Sequence, residues 1–377
     1  MSPTFDVVVV GGGIGGMSVA YELAEHASVL VVEREPNLTH HSTGRSAAIF
    51  LPGLGGAAFS ALSEASEAFL VDPPDGLTDA PVLTPRGDVI IDVAEDARHL
   101  VASSDGHTAN RITEGARVSI DNDQLLELVP WVDVTHVDGG SYQEDVRDLD
   151  VPGLHQAFLR GARQRGIEIW RSNEAVRGHR RGDGWRVEVG DDQVDAGAVV
   201  NAGGAWGDVV AERFGARPVG LTPCRRTAFT VATPGVSDGP LIHTASHDFY
   251  AKPESGGQLL MSPMDQTPVE PQDIRPEEED VARTIELAQH FIRPELRVVR
   301  TAWAGLRTFA PDADPVLGPD PEQPGFHWCC GQGGTGIQSA PAAARVVAAG
   351  VLGSDLPADV LDAGLDVGQI DPGRFHG

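Results

Sequence analysis

The stretch Phe5-Asp6-Val7-Val8-Val9-Val10-Gly11-Gly12-Gly13-Ile14-Gly15-Gly16-Met17-Ser18 constrains the fold more than any other part of the chain. Four successive valines predict a strand buried on both faces, as in a parallel sheet. The glycines after them put Gly11, Gly13 and Gly16 at the spacing of a dinucleotide-binding turn. Each has its own task. Gly11 permits the sharp turn, Gly13 lets backbone approach a diphosphate with no Cβ in the way, and Gly16 lets the helix pack close on its strand. Free N–H groups where the helix starts, around Ile14 and Gly15, favour an anion. A helix through Tyr21 and Leu23 leads to a second buried strand, Ser28-Val29-Leu30-Val31-Val32-Glu33. Its acidic end, followed by Arg34, falls where a ribose hydroxyl finds its acceptor.

A strand that feeds glycines into a helix start occurs twice more. Val199-Val200-Asn201-Ala202-Gly203-Gly204 is one case, and Phe326-His327-Trp328-Cys329-Cys330-Gly331-Gln332-Gly333-Gly334-Thr335-Gly336-Ile337, ahead of a helix from Gln338 to Ala349, is the other. Three such strands, at the beginning, middle and end of 377 residues, imply one α/β nucleotide domain assembled from separate pieces. The segments between them form a second domain. From Arg225 to Met261 short strands alternate with turns, which fits an antiparallel sheet. Helices are predicted over 57–70, 121–131, 152–165 and 277–291. A simple nicotinamide dehydrogenase, with its contiguous dinucleotide domain, fits this interleaving poorly.

A formal net charge of −27 disfavours nucleic acid and anionic membrane as partners, leaving small molecules. No run approaches the roughly 18 apolar residues of a membrane span, and the N-terminus lacks a secretory pattern. The expected location is the cytoplasm. Cys224, Cys329 and Cys330 are odd in number and lack metal-ligand spacing, so reduced thiols and no metal site are expected.

Five segments carry a family resemblance: His41-Ser42-Thr43-Gly44-Arg45-Ser46-Ala47-Ala48, Arg225-Arg226-Thr227-Ala228-Phe229, Phe249-Tyr250, Trp303-Ala304-Gly305-Leu306-Arg307 and Gln332-Gly333-Gly334. In this order they resemble the FAD-dependent D-amino-acid oxidase and glycine oxidase superfamily, and within it D-arginine dehydrogenase most. The resemblance implies non-covalent FAD in a discontinuous, glutathione-reductase-like domain built from 1–50, 149–224 and 312–377. It implies an α+β substrate domain on an antiparallel sheet, from 51–148 and 225–311. Ser42, Thr43, Arg45, Ser46, Ala47 and Ala48 would meet the second face of the diphosphate and the flavin edge. Val176 would lie near adenine through its backbone, with Ala202, Gly203 and Trp206 lining the nucleotide. Gly333, Gly334, Thr335, Gly336, Ile337 and Gln338 would sit beside the isoalloxazine, where a positive helix start favours the reduced ring.

By the same resemblance Arg226 and Arg307 hold the substrate carboxylate, a planar fork matching a planar acid, with Tyr250 donating to it. Arg225 points to the opposite sheet face. The acid is held so that its Cα hydrogen faces flavin N5. A neutral amine then assists hydride departure, and no strong general base is required. The imine produced is hydrolysed to glyoxylate or a 2-oxo acid plus an amine.

Several positions depart from the D-arginine dehydrogenase pattern. Ile49 replaces a histidine, Leu54 and Thr335 replace tyrosines, and Asp88 is a shorter acid where the substrate guanidinium is met. With Phe50 alongside, this wall favours an N-substituted glycine or an apolar D-amino acid over a cationic one. Met261 aligns with the oxygen-activating lysine of sarcosine oxidase relatives, and Gly305 with their flavin-attaching cysteine. A broad-specificity D-amino-acid dehydrogenase, a flavin-dependent RNA-modifying enzyme and an assembly factor on the same fold remain as alternatives.

Overall fold

In the computed structural model, which describes residues 2–101 and 117–376, eight of the described strands form one sheet and nine another. Thr4–Val10 runs through the first sheet parallel to Val29–Glu33 on one side and Asp192–Asn201 on the other. Those two strands run parallel in turn to Glu168–Arg171 and Phe326–Cys330. Val7 and Val9 enter a core shared with the helices Ile14–Leu23, Val151–Gln164 and Ala340–Leu352. Val8 and Val10 enter another, around Trp185, Phe214, Phe326 and Trp328. Burial on both faces is the reason this strand reads as an unbroken apolar run. The three glycine-terminated strands are neighbours, so their carboxyl ends open along one edge, where open α/β sheets bind ligands.

The glycine turn is as tight as its sequence requires. Gly11 has φ +106°, a conformation that side chains resist, and a Cβ on Gly16 would lie 1.8 Å from the Gly11 carbonyl oxygen.

The second sheet is mainly antiparallel. The region read as short strands begins with an eleven-residue one, Thr222–Ala232, paired along its length with Val299–Phe309. Gln258–Ser262, Tyr250–Glu254 and Leu241–Thr244 follow, and the last runs parallel to Asp88–Val93. One face of this sheet buries Phe229, Val231, Ile242, Phe249 and Met261 beneath the helix Glu278–Ala288. The other face, reached by the alternate residues, looks toward the carboxyl edge of the first sheet.

Helix Ala57–Val71 lies within the 51–148 segment expected to serve the substrate, yet it packs Ala58, Ala61, Leu62 and Leu70 into the first sheet's core. The helix predicted over 121–131 is shorter, Asn122–Leu128, and starts from a capping box between Asp121 and Gln124. Among the described residues no helix is long and apolar enough to cross a membrane.

The contact between Gly16 and Gly11 predicts that Gly16→Ala lowers stability by about 1–3 kcal/mol, since neither backbone segment can withdraw without disturbing the parallel sheet. Urea unfolding followed by circular dichroism measures this, and an unchanged midpoint would mean that the turn is loose.

Candidate active site

Two adjoining cavities open where the carboxyl edge of the first sheet meets the second sheet, and both are lined by Gly13, Ser42, Thr43, Ala202 and Gly204. One continues toward Glu33 and Trp206, the other toward Arg226 and Arg307.

The glycine turn between them is held by side chains. Gly12 N–H donates to Glu33 Oε2 at 2.8 Å, Glu35 N–H donates to Glu33 Oε1 at 2.9 Å, and Ile14 N–H donates to Thr43 Oγ1 at 3.0 Å. Burial raises the Glu33 pKa, and the two backbone donors oppose that rise. The expected ribose acceptor therefore braces the turn as well as lining the cavity. Across from it the Arg34 guanidinium lies 3.9 Å above the Trp206 ring, with the His41 ring 4.6 Å from the same indole. Glu35, His40 and His41 offer ligand atoms within 4.8 Å of one another, but Arg34 Nη2 stands 3.3 Å from His41 Nε2, where its charge opposes a metal cation.

Gly11, Gly13, Ala202, Gly203 and Trp206 all line this half, as expected. Glu174 and Ala175 line it too; Val176, expected to act through its backbone, follows them where the strand pairing shifts between Ala175 and Arg177, with its side chain 46 % exposed. Gly16 lies behind the turn in a packing position.

Arg45 lines the cavity that continues toward Arg226, but its guanidinium is engaged elsewhere. Its guanidinium, assigned above to the diphosphate, donates to the carbonyls of His40, Ile274 and Ala304 and pairs with Asp273. Ser42 Oγ donates to the Leu306 carbonyl at 2.7 Å, and Trp303 Nε1 donates to the Arg45 carbonyl at 3.0 Å. Residues 42–45 thus fasten the cofactor turn to the strand Val299–Phe309.

In the other half, Ile14, Gly15, Ser46, Ala47, Ala48, Gly333, Gly334, Gly336, Ile337 and Gln338 share the cavity with Ile49, Leu54, Arg226, Tyr250 and Arg307. The antiparallel register sets Cys224 opposite Arg307 and Arg226 opposite Gly305, so the two arginines lie diagonally on one face. Arg225 projects from the other face and pairs with Asp265, Glu277 and Asp280. Arg226 has no such partners. It is buried, and its Nε and Nη1 have no hydrogen-bond acceptor among the described residues. Burial, then repulsion from Arg307, lowers its pKa to about 9, and burial lowers that of Arg307 too. No carboxylate lines this cavity among the described residues, so its charged groups ask for an anion.

Four positions predicted for this cavity stand elsewhere. Phe50 is fully buried in the first sheet's core, and Leu51 takes its place on the wall. Thr335 is buried, with its hydroxyl donating to the Gln332 carbonyl. Asp88 is fully buried behind the wall, paired with Arg117 and 3.3 Å from His243 Nε2. Burial alone would raise its pKa, but His243 and Arg117 hold the carboxyl below the ordinary range. Met261 is in the second sheet's core, and Met264 lines the cavity instead. His243 and His247, stacked at 5.3 Å, and Leu241 line the cavity without having been singled out from sequence. A polar residue in the buried run Leu241-Ile242-His243-Thr244 was the available signal. Cys329 and Cys330 also reach the wall as free thiols, with burial pushing Cys329 up to about 12.

The family described as DAO, FAD dependent oxidoreductase, matches residues 6–349. Hydrogen cyanide synthase subunit HcnC of Pseudomonas aeruginosa is 26% identical over 382 residues, covering 89% of this chain and 90% of that protein. Glycine oxidase of Bacillus licheniformis is 23% identical over 380 residues, covering 96% and 97%. The structure of L-alpha-glycerophosphate oxidase from Mycoplasma pneumoniae with FAD bound superposes with TM-score 0.79 at 18% identity, covering 93% of this chain and 95% of that one.

The residues present fit FAD. A Cβ at Gly13 would meet only Thr43 Oγ1, at 3.2 Å, so the surface between the two cavities is bare backbone, as a diphosphate spanning them requires. The cavity toward Glu33 and Trp206 has an acid and an aromatic wall for the nucleotide end, and the one toward Arg226 and Arg307 has room beside Gly333–Gly336 for a ring system.

An unpaired buried cation costs stability until an anion arrives. Arg226→Met is therefore expected to make the ligand-free protein more stable, by about 1–4 kcal/mol in chemical denaturation. A less stable variant would show that Arg226 is already compensated.

Proposed function

Because this chain belongs to the DAO family of FAD dependent oxidoreductases, we propose that it oxidises the CH–NH bond of a small amino acid held by its carboxylate. N-substituted glycines and apolar D-amino acids are the substrate classes. The observation that carries the reading is the pair of buried Arg226 and half-buried Arg307 on one sheet face beside Tyr250, with no carboxylate on the cavity wall among the described residues. In this reading 1–50, 149–224 and 312–377 hold FAD without a covalent bond, 51–148 and 225–311 hold substrate, and Ala57–Val71 supports the cofactor side.

Bound FAD supplies the acceptor for a hydride. The chain supplies position, which for aligned reactants is worth roughly 7–11 kcal/mol of barrier. Arg226 and Arg307 grip the two carboxylate oxygens, and Tyr250 donates its hydroxyl to the same group. Ile49, Leu51, Leu54, Leu241 and Met264 give an apolar surface to the amine substituent or side chain and exclude water from it. A cationic side chain finds no acid there, because Asp88 is closed off by Arg117 and His243. Having lost the Cα hydride and an amine proton, the substrate is an imine, which water hydrolyses to glyoxylate or a 2-oxo acid plus an amine or ammonia.

Anaerobic mixing with a panel of N-alkyl glycines, apolar D-amino acids, D-arginine and sn-glycerol 3-phosphate, followed by loss of flavin absorbance, tests the reading. Bleaching by one of the first two classes and not by D-arginine is expected. Arg226→Ala and Arg307→Ala should each lose about 2–5 kcal/mol of transition-state stabilisation. Reduction by the phosphate ester and by no amino acid would overturn the proposal.

A further inference from the structure

His155 sits in the first half of the helix Val151–Gln164, is buried, and points its Nε2 at the Gly12 carbonyl, 2.9 Å away. A carbonyl only accepts, so Nε2 carries the hydrogen and Nδ1 is bare. Nδ1 is buried and has no hydrogen-bond partner among the described residues. The imidazole is thus held neutral as a single tautomer, consistent with burial lowering its pKa against the opposing Gly12 bond.

The peptide it grips is the one joining Gly12 to Gly13. A trans peptide is planar, and its C=O and N–H point in opposite directions. Fixing the Gly12 carbonyl toward the helix layer turns the Gly13 N–H the other way, toward the junction of the two cavities that Gly13 lines. The neighbouring peptides are fixed as well, by Gly12 N–H to Glu33 and by Ile14 N–H to Thr43. Between those two fixed peptides the Gly13 N–H has no acceptor among the described residues and stays open.

We propose that His155 is a positioning residue for the FAD diphosphate, acting through the Gly12 carbonyl to aim the Gly13 N–H into the cavity. It touches neither cavity itself. With no donor at 155, the Gly12–Gly13 peptide can rotate, and the bound diphosphate loses a preset partner.

The test is ligand affinity, measured on the full-length apoprotein by flavin fluorescence and calorimetry with FAD, ADP and riboflavin. His155→Leu keeps the volume and removes the donor. FAD and ADP should bind roughly ten- to hundredfold more weakly, as for a buried carbonyl left unpaired, with riboflavin little changed. His155→Gln, whose amide reaches about as far as Nε2, should recover most of the loss. If His155→Leu does not fold, His155→Asn, one bond too short to reach Gly12, takes its place. FAD affinity equal to wild type, an equal loss for riboflavin, or failure of glutamine to rescue would each overturn the proposal.

Discussion

The hydrogen bond from Ile14 N–H to Thr43 Oγ1 ties the glycine turn to residues 42–45, which are bonded in turn to the second sheet. Thr43 belongs to a short strap whose neighbours do not face the turn. Ser42 bonds the Leu306 carbonyl, Arg45 bonds the Ala304 carbonyl, and Trp303 bonds back to Arg45. The position of Arg307, one residue beyond Leu306, is therefore set from the same strap that caps the cofactor turn. Cofactor and clamp are registered by a few side-chain to backbone bonds rather than by the general packing of two domains, and an error of about 1 Å in such registration is costly to catalysis. Arg45 serves this geometry, which is why its guanidinium is turned from the diphosphate toward protein carbonyls.

A second constraint is how charge is divided between Arg225 and Arg226. The chain carries 55 acidic residues against 28 basic ones, so most buried guanidinium groups have acids within reach. Strand alternation separates this pair, with Arg225 meeting three carboxylates on one face and Arg226 meeting none on the other. Placing an uncompensated cation beside Arg307 opposes folding and favours anion binding, a common exchange at functional sites. Asp88 belongs to the same pattern: it is sealed behind His243 and neutralised by Arg117.

The features legible in the sequence are those whose physical cause is local. Four valines, three glycines at fixed spacing and a two-residue alternation at Arg225 and Arg226 specify burial, turn and face without knowledge of any partner. Several of the misreadings involve distant partners or small shifts of register. Arg45 meets Asp273 and Ile274, more than two hundred positions away, and nothing near Arg45 announces them. His155 meets Gly12 across 143 positions. Phe50 has the adjacent Leu51 on the cavity wall in its stead, and Met261 is three positions from Met264, shifts that alignment to a distant family does not resolve. One residue of displacement in a strand exchanges core for cavity.

Under the proposed function, the cavity's charge also bears on which form of an amino-acid substrate reacts. An amino acid in neutral solution carries an ammonium group, whereas loss of hydride from the carbon beside nitrogen is assisted by a free lone pair. Two guanidinium groups face the cavity, and a bound carboxylate cancels only one of their charges. The remaining positive field and the apolar wall of Ile49, Leu51 and Leu54 both disfavour an ammonium and lower its pKa on binding. The residues that select the acid group thus also favour release of the amine proton. No side chain has to remove that proton within the site, and the lining, which has no carboxylate among the described residues, is consistent with that division of labour.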